Sequence, residues 1–191
     1  MGFFDSILGR TRLPKTKEEN IFAMSTAVVS LEASGLHFRN SAGVLFKKFP
    51  SGRFKQIVDS LREMLSIGGS DFNVSLKEVA DNLGFDWLVL FGQMQDILTV
   101  AHSISQSMKE QALDDTLLAC AFAFESEGRK VYWIYNFKNG TFYPFVPLAD
   151  KKRDNQEELR LASVYKTELP IEPKLESWYA LWDPPLEPSS S

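Results

Sequence analysis

One cysteine, Cys120, in 191 residues excludes an internal disulfide, and with only His37 and His102 beside it there is no Cys/His metal cluster. No run of about 18 apolar residues occurs, so no segment reads as a transmembrane helix. Asp5 and the series Arg10, Arg12, Lys15, Lys17 interrupt what would be a secretory core, so a cytoplasmic protein is expected. Charge of one sign is lacking too. The 21 basic and 25 acidic side chains leave a net −4, without the basic footprint of a nucleic-acid binder. H-E-x-x-H, G-x-S-x-G and G-x-x-x-x-G-K are all missing, Gly68-Gly69-Ser70 reads as a loop, and no cofactor motif is present. Repeats and internal linkers are likewise missing. What remains is 44% hydrophobic and 24% charged, the composition of an ordinary globular chain. A chain of this length buries about 70% of its unfolded surface and needs no staple.

The first residues carry the clearest local pattern. Between Met1 and Arg12, the residues Phe3, Phe4, Ile7 and Leu8 recur at helical spacing and share one face, with Asp5, Ser6 and Arg10 elsewhere. A short amphipathic helix over residues 1–13 is expected. Basic residues follow it, and such a flank is drawn to an anionic membrane surface at roughly 1 kcal/mol each. The expected membrane- or partner-binding set is therefore Phe3, Phe4, Ile7, Leu8, Arg10 and Arg12; packing of Phe3 and Phe4 on the chain's own domain is the alternative. Met1 to Ser6 also fits the M-G-x-x-x-S/T myristoylation pattern, a short motif that recurs by accident. Pro14 ends the helix and makes residues 13–17 a hinge.

Further along, residues 17–24 suit a helical turn or two, and Ala27-Val28-Val29-Ser30-Leu31 reads as a strand through its β-branched content. Ser34-Gly35 and Asn40-Ser41 bracket turns, and residues 42–49 read as a strand closed by Pro50. Ser51 is a candidate N-cap for a helix whose stripe is Phe54, Ile57, Val58, Leu61, Met64 and Leu65, ending at Gly68-Gly69. A strand at 85–91 precedes a second long helix at 93–111. Its stripe is Ile97, Val100, Ala101, Ile104 and Met108, and His102 falls roughly 140° from Ile97, toward solvent. Residues 117–124 form a continuous apolar run, as in a strand covered on both faces, which makes Cys120 a buried structural thiol rather than a nucleophile. Residues 131–137 and 142–146 flank Lys138-Asn139-Gly140-Thr141, whose Asn-Gly pair predicts a type I′ turn. Residues 117–146 thus make a three-stranded meander, with Pro144 and Pro147 putting its last strand at a sheet edge.

Asp154 or Asn155 caps a helix running to about residue 166, with Glu157 at capping-box spacing and Glu157, Glu158 and Arg160 on a solvated face. Beyond Pro170 the periodicity stops, but Trp178, Tyr179, Leu181 and Trp182 are costly to leave in water, so an aromatic strap lying on the domain is expected. Residues 184–191, rich in Pro and Ser, read as a disordered tail. The domain itself spans 18–183.

The segments Met1 to Arg10, Val131 to Phe145 (with Gly140-Thr141-Phe142-Tyr143-Pro144-Phe145), Arg153-Asp154-Asn155 with Glu157 and Leu159, Leu169 to Pro173, and Trp178 to Asp183 together resemble the PspAB family of PspA-associated proteins. The resemblance runs over nearly the whole chain. It implies a link to PspA, the membrane-remodelling phage shock protein of the ESCRT-III type, and to the membrane metalloprotease HtpX in envelope stress. No catalytic residue comes with it. The reading is therefore a single α+β domain with a mainly antiparallel sheet of five to six strands, two long helices, the N-terminal amphipathic helix, and a C-terminal helix with its strap. The expected function is that of a non-enzymatic, cytoplasmic accessory protein, peripheral on the inner membrane face, docking through its N-terminal helix on a PspA-type protein, a membrane metalloprotease or an anionic membrane. Two other readings stand beside it. One is a small-ligand binder or enzyme with a pocket between meander and helices, for which Asn136, Tyr143, Arg153 and Asp154 are the candidates. The other is a chaperone-like helper of a membrane protease.

Overall fold

A computed structural model of the chain describes residues 17–48, 51–67, 73–81 and 84–187. A 3-10 run, Lys17–Ala23, leads into α1 (Met24–Ala33), β1 (His37–Lys47), α2 (Ser51–Ile67), β2 (Ser75–Ala80), β3 (Phe85–Phe91) and α3 (Met94–Glu110). The meander β4 (Leu117–Ser126), β5 (Arg129–Asn136), β6 (Thr141–Phe145) follows, then a two-residue pair, β7 (Pro147–Leu148) with β8 (Lys152–Arg153), and α4 (Asn155–Tyr165). The six main strands form one antiparallel sheet in the order β2-β3-β1-β4-β5-β6, so the α+β class and the six-stranded sheet are as expected.

Alternation along the strands divides the core in two. Val44, Phe46, Cys120, Phe122, Trp133 and Tyr135 point to one side, where α1, α2 and α3 lay their apolar stripes. Ile97, Val100, Ala101, Ile104 and Met108 are all buried there, as their spacing predicts, and so are Phe54, Ile57, Val58 and Leu61 of α2, while the side chain of Met64 lies outside the described residues. Leu45, Trp87, Ala121, Ile134, Tyr143 and Phe145 point to the other side, where the cover is mainly extended chain: the segment after α4, helped by Ala162 of α4.

Three expectations are corrected. Residues 27–31 are the middle of a helix. Met24, Ala27 and Leu31 are buried at spacings of three and four while Val29 stays 68% exposed, so a one-sided surface overrides the β-propensity of Val28-Val29. β1 begins at His37, not 42, because the turn-like Asn40 is a bulge at positive φ inside the strand, where the register against β4 slips between Phe38 and Ala42. His102 does not face solvent: the 3-10 run crosses α3 and sets the Phe22 ring 5.1 Å from it, leaving His102 half-buried.

The meander ends at the sheet edge as expected, and the edge is partly closed. Phe142 N–H donates to Pro170 O (2.8 Å), and Glu172 N–H donates to Phe142 O (2.8 Å). Its hairpin is not type I′. Only Gly140 has positive φ (68°), while Asn139 donates its N–H to Asn136 Oδ1 (3.1 Å), a four-residue loop closing on a left-handed glycine. A Cβ on Gly140 would lie 2.8 Å from Lys17 Cβ and 2.9 Å from Lys17 O. Gly140→Ala is expected to cost about 1–3 kcal/mol, since left-handed strain adds to the clash; the midpoint of chemical unfolding reads it.

Candidate functional site

The sheet's second face lacks a full helical layer, and the strap completes the burial of Leu45, Trp87, Ala119 and Tyr143 there. The strap is held at defined points. The Trp178 ring stacks near Tyr143 (centroids 6.0 Å, 20°) and its Nε1–H donates to Glu172 O (3.0 Å). Tyr143 OH donates to Tyr179 O (3.1 Å), Ser41 OH donates to Leu186 O (2.7 Å), and Lys130 Nζ lies 2.8 Å from Glu187 Oε1. Gly43 makes room for that last stretch: a Cβ there would meet Leu186 Cδ2 at 2.5 Å and the Trp87 ring at 2.9 Å. Leu186 is buried, so the ordered chain continues past residue 183, where a frayed tail was expected to follow.

Glu172 organises the near end of the strap. Its Oε2 accepts from Asn139 Nδ2 (2.8 Å) and Thr141 Oγ1 (2.7 Å), and its Oε1 from Lys174 N–H (3.1 Å). Burial alone would raise its pKa. The three donors outweigh that and hold the carboxyl below the ordinary 4.5. A carboxyl depressed in the fold stabilises fully above its unfolded value, and that contribution is lost as pH falls through the lower folded value. Acidification below about pH 4.5 is therefore expected to loosen the strap first, read as faster amide exchange at Lys174 and Trp178. Glu172→Gln should exchange about tenfold faster at neutral pH already, having lost charge-assisted bonds.

Between this hairpin, the start of β4 and the strap lies an open groove of about 1160 Å³. Leu45, Trp87, Ala119 and Tyr143 form its floor, and Leu181 and Trp182 form one wall. It runs round the sheet's end to the last turns of α3, with Lys17, Lys138, Asp114 and Asp115 at its rim. Neither histidine nor Cys120 lines it. Cys120 is fully enclosed in the helix-side core, and burial pushes its thiol up, away from reactivity.

Of the four pocket candidates, Asn136 and Tyr143 line the groove, but Arg153 and Asp154 do not. Asp154 caps α4 by accepting from Glu157 N–H (3.0 Å), as its spacing predicts. The reciprocal arm of the box is replaced, since Glu157 grips Arg160 (2.7 Å) and Asp154 N–H donates to Val146 O (2.9 Å). Arg153 turns inward. Its guanidinium sits 5.2 Å over the Phe145 ring, donates to Trp178 O (2.8 Å), and pairs with Glu158, Nε lying 2.9 Å from Oε2. Glu158, expected on a solvated face, is instead 2% exposed and also accepts from Val146 N–H (2.9 Å). The signal was its place in the register: Glu158 shares the buried face of Leu161, Ala162 and Tyr165. Glu172 had no such signal.

The membrane- or partner-binding set Phe3, Phe4, Ile7, Leu8, Arg10 and Arg12 lies outside the described residues. Among the described residues, no helix is long and apolar enough to cross a membrane, and no three His, Cys, Asp or Glu are grouped to hold a metal ion.

Against known proteins, the family model described as PspA associated protein B matches residues 1–186, nearly the full length of the chain. No curated protein matches it, and neither does any solved structure.

Proposed function

The chain belongs to the PspA associated protein B family, and from that membership we propose that it is a non-enzymatic accessory protein of a PspA-type membrane-stress response. In this reading it is peripheral on the inner face of the membrane. It docks reversibly through Phe3, Phe4, Ile7 and Leu8, with Arg10 and Arg12 biasing the contact toward anionic surfaces. The proposed direct partner is the PspA-type protein; a membrane metalloprotease of the HtpX type is the second.

One observation supports the non-enzymatic half of the reading. Three polar groups that line the groove are committed to holding the fold: Asn136 Oδ1 to its turn, Tyr143 OH to the strap carbonyl of Tyr179, and Glu172 to three donors. A general acid or base needs a proton-transfer group within reach of substrate; Tyr143 and Glu172 are turned to their own backbone and neighbours, while Asp114, Asp115 and Lys138 sit at the rim. The small-ligand reading draws on the same groove, but its volume exceeds the roughly 300–1,000 Å³ usual for small molecules and suits a segment of polypeptide better.

A pull-down from the native membrane fraction tests the partner. The full chain should retain the PspA-type protein, and a chain lacking residues 1–12 should retain at least tenfold less. Equal recovery by both removes the N-terminal docking, and catalytic turnover by the purified chain removes the adaptor reading.

A further inference from the structure

We propose that the groove on the strap face is the resting seat of this chain's own first twelve residues, so that the helix offered to membrane or partner is sheltered in cis until it is drawn out. The inference rests on the amphipathic N-terminal helix of the preceding section and adds to it a second, internal binding surface.

Where the described chain begins is the first argument. Lys17 lines the groove, its carbonyl accepts from Tyr135 OH, and it packs on Gly140, whose carbonyl accepts from Asn20 Nδ2 (3.0 Å). Residue 17 is therefore fixed at the rim. The four residues 13–16 span at most about 14 Å, which keeps residues 1–12 in the groove's neighbourhood. A tether so short sets an effective concentration on the order of millimolar, so even a weak contact is populated in cis.

Size is the second. Twelve helical residues make a rod about 18 Å long and about 10 Å across, roughly 1,400 Å³ in volume. The groove offers about 1160 Å³, enough to take most of such a rod with its outer side left in water.

Chemistry is the third. The groove presents the half-buried Phe85, Leu118, Phe137, Leu181 and Trp182 to an occupant, apolar side chains that suit the single apolar face of Phe3, Phe4, Ile7 and Leu8. Lys17, Lys47, Lys109, Lys138 and Lys174 line the groove together with Asp114 and Asp115, which are exposed on its rim. The two aspartates lead directly into β4, where Leu118 O accepts from Phe137 N–H (3.2 Å) beside the hairpin on which Lys17 packs.

The seat changes how the outward contact behaves. Affinity for any outside surface is lowered by the fraction of molecules whose helix is sheltered, and weakening the seat should raise it without touching the helix.

Nitroxide labelling of the full chain at Ser6→Cys tests this, Cys120 being buried and protected. Amide signals of Leu118, Lys138 and Leu181 should broaden strongly in NMR spectra, while those of Val29 and Leu31 on the far side stay sharp. Phe4→Ser with Leu8→Ser in the labelled chain should restore the broadened signals. Leu181→Glu in the unlabelled chain should raise flotation with phosphatidylglycerol vesicles several-fold. Even or absent broadening, or broadening centred on α1, overturns the seat. Broadening without any flotation upholds the seat and removes the membrane role; flotation without broadening does the reverse.

Discussion

Glu158→Met or Arg153→Met alone lowers the unfolding free energy by about 3–5 kcal/mol, whereas the two combined cost only about 1–3 kcal/mol, which leaves the double variant more stable than either single one. The asymmetry follows from burial. Removing Glu158 alone strands the guanidinium between the Phe145 ring and Trp178 O, where its side chain is only 22% exposed. Removing both charges leaves no uncompensated ion. The residual cost is the Val146 N–H, which loses its acceptor, together with Trp178 O, which loses its donor. Burial pushes the Glu158 carboxyl up against the pull of Arg153 and the Val146 N–H. A carboxyl raised in the fold contributes a stability that is fully present below its unfolded value and is lost as pH rises through its folded value, a slope opposite to that of Glu172. A double-mutant cycle by urea unfolding supplies the numbers. A double variant as damaged as the sum of the two singles would show that the pair is not coupled.

Trp178→Ala is expected to release the strap before it unfolds the domain. Full loss of a buried tryptophan costs about 3–5 kcal/mol in a core that cannot let go. Here the residue sits in a segment held by side-chain contacts and few backbone bonds, so the cost is capped at the free energy of peeling residues 175–187 off the sheet. The expected signature is fast amide exchange along the strap, an exposed Tyr143 and a modest drop in unfolding midpoint. A full-sized loss of global stability with the strap still protected would mean that the strap folds as one with the core.

How far the residues announced this arrangement depended on what each signal measures. Stripes such as Ile97-Val100-Ala101-Ile104-Met108 report a one-sided burial, and α3 duly has it. The same spacing holds for Met24, Ala27 and Leu31 in α1, where the β-propensity of Val28-Val29 points the other way. The meander was legible because an apolar run and two aromatic strands are separated by turn residues, though the turn type was not: the Asn-Gly pair supplies positive φ at Gly140 only, since Asn139 is held by Asn136 Oδ1. Strand order and the strap's path were illegible, because they depend on contacts such as Gly43 with Leu186, more than a hundred residues apart. The groove exists only where such distant elements leave a gap, so residue types alone do not delimit it: Asn136 and Tyr143 line it, and Arg153 and Asp154 lie elsewhere.

Flotation with vesicles of phosphatidylglycerol and phosphatidylethanolamine at low salt, comparing the full chain with Phe3, Phe4, Ile7 and Leu8 all changed to Ser, reads the N-terminal contact directly. Binding by the full chain that falls with added salt, and at least a tenfold loss in the quadruple variant, is the expected result. Equal binding by both chains, or none by either, would contradict a protein that meets its membrane through its first dozen residues.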